Sequence, residues 1–284
     1  MTLPYVSAEE VERRITVEQA ADALERALLD GVDPEDDPAR ESVEIDGGHL
    51  VVMPTGATGL GVVKLMSVGG DPHIQGVCVV FDARTLAPAA LIDAGALTAL
   101  RTPAISMIAV RRLAAERAQR LLVYGRGPQA EAHVRAVSAA RPIEKVDMVG
   151  RDRDMDAVDG LVSEADVICC CTTARDPLFN GELVADHALV IAIGSHEPNR
   201  REVDTALVGR ASVVVESRAS ALREAGDVIA AIDEEVITES QLITLADLVR
   251  GKESAVQRGQ PRLFKSSGMA WEDAVVAAEV LSRF

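Results

Sequence analysis

The chain has 284 residues, a formal net charge of −16, 48% hydrophobic residues and only 2% aromatic residues. That length holds two domains and a large core. The charge argues against nucleic acid or an anionic membrane as a partner, and so few rings leave little surface for stacking bases, so solubility is the plainer reading of the acid. No run reaches the roughly 18 consecutive apolar residues that a bilayer span needs. The opening MTLPYVSAEEVERRI has no apolar signal-peptide core. Three of the four cysteines are adjacent, Cys169–Cys171, inside an apolar run. They read as small buried hydrophobes on a strand rather than as a disulfide or zinc set, and the expected location is a reducing cytoplasm.

In chain order, Ser7 with Glu10 forms a capping box that starts a helix, and the cap-like Thr16 precedes a second helix over Val17–Leu29. Asp30–Arg40 is an acidic loop bearing prolines. Glycine-separated β-rich runs follow at Leu50–Met53, Leu60–Ser67, Val77–Asp82 and the start of Ala89–Asp93, the pattern of an antiparallel sheet. Ala94–Leu113 reads as a long helix. From Arg120 the texture changes to strands alternating with helices. The strands are Leu121–Tyr124, Lys145–Val149, Val167–Cys171, Leu189–Ile193 and Ser212–Val215, as in a parallel sheet wound by crossovers. FKSSGMAWEDAVVAAEVLSRF closes the chain as a turn and a helix that packs back on the first part. The fold class is therefore α/β: a Rossmann-type parallel-sheet domain over 116–259, inserted in an α+β substrate/dimerisation domain over 1–115 plus 260–284.

Residues 121–130, LLVYGRGPQA, place a strand, a glycine turn and a helix start in the order of a dinucleotide-binding turn. Gly125 permits the turn. Gly127 lets a pyrophosphate approach the backbone, and the helix N-terminus offers N–H groups and partial positive charge. Pro128 suits the first helical position, and Ala130 stands where the fingerprint takes Gly or Ala. Such turns also occur as plain strand–helix connectors. The next strand ends in Gly150-Arg151-Asp152 with no acid in first place. An Arg fork there matches the 2′-phosphate of NADP(H), which is favoured. NAD(H) remains possible if Arg151 is a solvated loop residue and Asp152 reaches the ribose. Thr172 and Thr173 follow the third strand, and Gly194, Ser195 and His196 follow the fourth, at the edge where ligands bind. Turn capping is the plainer alternative for the two threonines, but their position at a strand end tips the balance towards the ligand crevice.

Lys64 lies inside the apolar strand GVVKLMS, where a cation needs an anionic partner. Arg101-Thr102 interrupts the apolar run of the long helix. Arg40 precedes the first strand and on spacing alone reads as a solvated loop charge. Together these cations suit a substrate carboxylate. His73 on a loop and His133 on a helix face read as structural. No spacing suggests a metal site.

These segments resemble the ornithine cyclodeaminase/μ-crystallin family. The resemblance runs almost end to end through HLVVMPTG, VVKLMSV, LIDAGALTALRTPAIS, YGRGPQA, VGRD, ADVICCCTT, AIGSHEPNRREVD, EAGDV, LADLVRG and FKSSGMAWEDA, in the family's order. It implies a homodimer acting on a small amino or imino acid. It implies that Arg40, Lys64 and Arg101, accompanied by Thr102, hold the substrate carboxylate. It implies that Gly125, Arg126, Gly127, Pro128, Gln129 and Ala130 form the pyrophosphate turn, and that Arg151 contacts a 2′-phosphate. It implies that Thr172 and Thr173, with Gly194, line the nicotinamide side and that Lys265, Ser266 and Gly268 close over it. The cyclodeaminases carry a catalytic Asp in a G-x-D-x-P context. Here Gly194-Ser195-His196-Glu197-Pro198 puts His196 in that place, and a histidine suits a general acid rather than an anion.

The expected function is therefore an NAD(P)H-dependent reductase of cyclic imino acids such as Δ1-pyrroline-2-carboxylate or Δ1-piperideine-2-carboxylate, with Lys64, Arg101 and His196 as catalytic candidates. The alternatives are an ornithine cyclodeaminase recycling NAD, an amino-acid dehydrogenase such as alanine dehydrogenase, and a crystallin-like binding protein without turnover.

Overall fold

The computed structural model describes residues 3–71, 74–151, 155–252 and 256–283, so His73 and Asp152 lie outside the described residues. The chain divides into two compact units, Met1–Ala104 with Met269–Phe284, and Ile105–Gly268.

The first unit begins with β1 (Tyr5–Val6), α1 (Ala8–Arg14) and α2 (Val17–Leu29). Both helices start in capping boxes, the one at Ser7 as expected and the one at Thr16 completed by Gln19, where only a cap was read. Ser7 accepts from the Glu10 N–H while Glu10 accepts from the Ser7 N–H, and Thr16 and Gln19 do the same. The apolar positions of α2 recur at helical spacing, and Ala20, Leu24, Ala27 and Leu28 are buried.

Strands β3 (Gly48–Thr55), β4 (Leu60–Val68), β5 (Ile74–Asp82) and β6 (Pro88–Asp93) form the expected antiparallel meander, which β2 (Glu41–Ile45), outside the runs read from sequence, extends. The full order is β1-β6-β5-β4-β3-β2. β1 joins β6 in parallel, with Tyr5 opposite Leu91, a two-residue pairing too short to leave a periodic signal. Along β4, Val62, Lys64 and Met66 are buried while the residues between them are half-buried.

The helix α3 (Ala94–Leu113) is continuous and carries Pro103 inside it. The last helix of the chain, α10 (Ala270–Leu281), packs on α2, β3 and β4, so it closes the first unit as expected. Its N-cap, Met269, has no capping oxygen. Asp37 of the acidic loop replaces one, accepting from the Trp271 N–H at 3.1 Å and from the Thr55 hydroxyl at 2.7 Å. Burial pushes the Asp37 carboxyl above its usual range despite these donors.

The second unit is a seven-stranded sheet whose neighbouring strands all run parallel. Its elements are β7 (Arg120–Tyr124), α4 (Pro128–Ala140), β8 (Lys145–Val149), α5 (Met155–Glu164), β9 (Val167–Cys170), β10 (Leu189–Ala192), α6 (Thr205–Arg210), β11 (Ser212–Val215), α7 (Arg218–Glu224), α8 (Gly226–Asp233), β12 (Ile243–Thr244), α9 (Leu245–Val249) and β13 (Arg262–Lys265). The order is β12-β11-β13-β10-β9-β7-β8. Central strands β9, β10 and β11 are buried throughout, which fits their nearly unbroken apolar sequences.

Two of these strands are absent from the sequence-based set, β12 and β13. β13 enters between β10 and β11, with Leu263 opposite both Val190 and Val213. Phe264 and Lys265 are therefore strand rather than turn, and residues 260–268 go with the second unit. The division falls within α3 and after Gly268, against 115/116 and 259/260 from composition. A four-residue strand whose partners are remote in sequence has no local pattern of its own. Among the described residues, no helix is long and apolar enough to cross a membrane.

Candidate active site

A cavity of ≈ 620 Å³ opens in the second unit at the carboxyl ends of β7, β8 and β9. This is the edge at which parallel sheets bind ligands. Gly125, Arg126, Gly127, Arg151, Thr172 and Thr173 all line it. Gly125 has φ +116, and a Cβ there would stand 2.5 Å from the Cys171 carbonyl oxygen, so the turn requires glycine. Gly127 caps α4 with an extended backbone and no side-chain hydrogen bond, and a Cβ built on it would meet nothing within 4 Å. The N-cap residue thus brings no capping oxygen to the first turn, and the space beside it is open. The N–H groups of that turn fit an anionic pyrophosphate.

Pro128 is the first helical residue, and Ala130 is fully buried behind Gly125. The Gln129 carbonyl accepts from His133 Nδ1 at 2.7 Å. A carbonyl only accepts, so Nδ1 carries the proton, and Nε2 accepts from the Ser106 hydroxyl at 2.9 Å. Burial holds the His133 pKa at about 4, so the ring is neutral and serves as a brace for α4. The Arg126 guanidinium lies over Gly150, about where a Cβ would come within 3.2 Å of it. Glycine after β8 therefore makes room for a second arginine beside Arg151.

Behind the cavity lies a group of buried charges, of which only Lys265 stands in the sequence-based list. Glu202, Asp227 and Lys265 are all buried. Lys265 Nζ donates to the Ser195 carbonyl at 2.7 Å and stands 3.0 Å from Asp227. Glu216 accepts from the Ser266 hydroxyl at 2.7 Å and from the Ser267 and Gly268 N–H groups at 3.1 and 3.0 Å. Lys265, Ser266 and Gly268 are thus held by carboxylates, and they do not line the cavity. The signal was present in the sequence. Glu216 in VVVESR and Asp227 in EAGDV interrupt apolar runs, as Lys64 does, and such charges need partners. His196 is exposed on the loop after β10.

The first unit holds a second buried charge cluster. Lys64 on β4 is fully buried, with its ammonium 2.7 Å from Asp273 of α10. Arg101 on α3 pairs with Glu272 at 2.6 Å and with Asp273 at 3.5 Å. Thr102 is buried next to it. Burial pulls the Lys64 pKa down, Asp273 opposes that pull, and Arg101 adds to it. The Glu272-Asp273 pair was missed, although two acids opening an apolar helix (WEDAVVAA) carry the same warning as Lys64. Arg40 is half-buried just before β2. Glu41 pairs with Val52, and Met53 pairs with Lys64. Carried back one residue, this register sets Arg40 in the row of Met53 and Lys64, two strand spacings or about 10 Å away. Among the described residues no group of three or more His, Cys, Asp or Glu side chains is placed to hold a metal ion.

A profile of the ornithine cyclodeaminase/mu-crystallin family matches residues 4–159 and 154–284. The chain belongs to this family. This member is 30% identical over 278 residues to a Delta(1)-pyrroline-2-carboxylate reductase of Bacillus cereus, covering 87% of this chain and 85% of that protein. It is 32% identical over 221 residues to the ketimine reductase mu-crystallin of Rattus norvegicus, covering 72% and 68%. Among solved structures, the Delta(1)-pyrroline-2-carboxylate reductase of Thermococcus litoralis, in complex with NADH and L-proline, superimposes with a TM-score of 0.91 at 26% identity over 99% of this chain and 97% of that one.

Proposed function

We propose that this protein is an NAD(P)H-dependent reductase of cyclic imino acids, turning Δ1-pyrroline-2-carboxylate or Δ1-piperideine-2-carboxylate into proline or pipecolate. The observation that carries this reading is a chain that builds both a dinucleotide cavity at the carboxyl edge of its parallel sheet and a buried two-cation cluster suited to a carboxylate. Its reductase relatives support the same chemistry. Held by the residues lining the cavity, a nicotinamide dinucleotide would supply the hydride for the imine carbon. The chain's own residues orient the substrate and deliver a proton to the imine nitrogen. Lys64 and Arg101 bind the carboxylate, with Arg40 and Thr102 beside them, and orientation is their main contribution to rate. An ammonium has three donors, so pairing with Asp273 leaves Lys64 able to bind a second anion or to protonate the imine. His196 stands where the cyclodeaminases have an aspartate, and its imidazole suits proton transfer.

NADPH is the proposed cofactor. Arg126 and Arg151 both line the cavity where β8 ends, and no carboxylate pairs with either among the described residues. Replacing both by Gln should weaken NADPH by about tenfold or more while moving NADH much less, because each lost charge-assisted hydrogen bond is worth roughly 1.5–3 kcal/mol. Fluorescence titration of the two nucleotides checks it.

A homodimer is proposed from the sheet of the first unit. The face opposite Lys64 is also apolar, with rows Val52–Leu65–Val77 and Pro54–Val63–Val79–Leu91 half-buried and Val43 and Ile45 exposed by 54% and 50%. A sheet with one solvated face alternates apolar and polar residues, so a second copy is the occupant that suits this one. The free buried Cys78, Cys169 and Cys170 suit a reducing cytoplasm.

Following NADPH oxidation with each cyclic imine tests the function directly. Turnover of either imine supports it. Ammonia release from ornithine without added nucleotide would instead make the protein a cyclodeaminase.

A further inference from the structure

One carboxylate ties together two of the loops at the ligand edge of the second unit's sheet. Glu202 is fully buried. Its Oε1 accepts from the Thr172 N–H at 2.9 Å and from the Thr172 hydroxyl at 2.7 Å, and its Oε2 accepts from the Gly194 N–H at 2.7 Å. Thr172 follows β9 and lines the cavity, and Gly194 follows β10. The two backbones are so close that a Cβ on Gly194 would run into the Thr172 carbonyl oxygen. Glu202 is anchored from behind. Its own N–H and that of Val203 donate to Asp227 Oδ1 at 2.6 and 3.0 Å, and Asp227 is paired with Lys265.

We propose that Glu202 is a positioning residue for the dinucleotide: its ionised carboxylate sets the spacing of the Thr172 and Gly194 loops, and its protonation loosens them and weakens cofactor binding. This rests on the reading of the cavity as a dinucleotide site.

The chemistry of the donors sets the direction. Two of the three are backbone N–H groups, which cannot accept a hydrogen bond. A proton on Glu202 must therefore either displace one of them or turn the Thr172 hydroxyl round. Burial pushes the Glu202 pKa up to about 7, with Asp227 adding to the rise and Lys265, Thr172 and Gly194 opposing it. The strap is thus complete above pH 7 and weakens below it. The other groups facing it are Lys265, Asp227 and the thiols of Cys169, Cys170 and Cys171, which burial pushes up so that they stay neutral here.

The test measures NADH affinity by fluorescence titration between pH 6 and 8.5, since NADH lacks the 2′-phosphate that would titrate in this range. Wild type should bind several-fold more weakly at the acid end. Glu202→Gln should bind about tenfold more weakly at pH 8 and lose the pH dependence, because an amide keeps one acceptor oxygen and presents a donor to the other site. Equal affinity and equal pH profile in wild type and Glu202→Gln overturn the inference alone. A wild type that binds neither NADH nor NADPH overturns the dinucleotide reading and this inference with it. Should Glu202→Gln fail to fold, the Thr172 and Gly194 amide resonances of the intact wild type decide. They should titrate together with a midpoint near 7, and amides that stay invariant across this range refute the proposal.

Discussion

The two units bury charge in different ways. In the first, Lys64 and Arg101 meet Asp273 and Glu272 side chain to side chain, cation to anion. In the second, Glu202, Glu216 and Asp227 spend their oxygens mainly on backbone N–H groups of loop residues, with Lys265 the buried cation among them. An ion pair holds two side chains in place and can exchange a partner for an incoming anion. A carboxylate bound to N–H groups holds backbone, and so fixes the shape of loops. The first arrangement suits gripping a small charged substrate, and the second suits shaping a cavity around a large cofactor.

The sharpest way to break that contrast is to remove one anion from the first unit. Asp273→Asn leaves Lys64 buried without its counter-charge and should cost about 3–5 kcal/mol in unfolding free energy. Replacing the pair together, Lys64→Met with Asp273→Leu, should recover most of that loss, since an apolar pair of similar volume needs no desolvation. Imine reduction should nevertheless stay absent in the double variant. Urea unfolding and turnover measured on the same samples separate the two effects. A double variant that still reduces the imine would remove Lys64 from the mechanism.

The next effect is the pH response of the second unit's neutral brace. The His133 pKa is about 4 in the folded chain, below its ordinary value of about 6.5. The unfolded chain therefore takes up the proton first as pH falls. The contribution to stability is fully present above pH 6.5 and is lost progressively as pH drops towards 4, by up to about 3 kcal/mol. His133→Gln should lie lower at pH 8 but show a flatter stability curve between pH 6.5 and 4. An equally steep curve would assign the acid loss to other groups.

Smallest in stability, and most selective for function, is the contrast between two glycines of the same turn. Gly125→Ala needs a positive φ and drives a Cβ against Cys171, so it should cost about 1–3 kcal/mol. Gly127→Ala has an ordinary φ and open space, and should shift stability by no more than about 0.5 kcal/mol. Its methyl group would stand where the pyrophosphate approaches, so NADH affinity should still fall by about tenfold or more. Thermal unfolding and nucleotide titration of both variants check the pair. Unchanged affinity in Gly127→Ala would move the pyrophosphate elsewhere.

Much of the molecule was legible in the residues themselves. The capping box at Ser7, the cap at Thr16, the helix over Ala94–Leu113, the meander and the strands of the parallel sheet from Leu121 to Val215 all arise from local periodicity and turn chemistry, which neighbouring residues carry. The glycine turn, Arg151 and the two threonines were legible for the same reason, since each follows a strand whose end marks the ligand edge. Lys64 and Arg101 stood out because a cation within an apolar run demands a partner. The identity of that partner was not legible, because Asp273 is brought to Lys64 only when α10 returns to β4 from the far end of the chain. The same holds for β13, whose insertion between β10 and β11 moves Lys265, Ser266 and Gly268 away from the cavity lining and onto Asp227 and Glu216. Sequence by itself determined the elements with a local pattern, the ligand edge and the sign of the charges placed there, but not short strands such as β12 and β13 whose pairing is remote. Tertiary structure alone decided which charges neutralise one another and which hold backbone, because those pairings join residues that only the folded chain brings within hydrogen-bond distance.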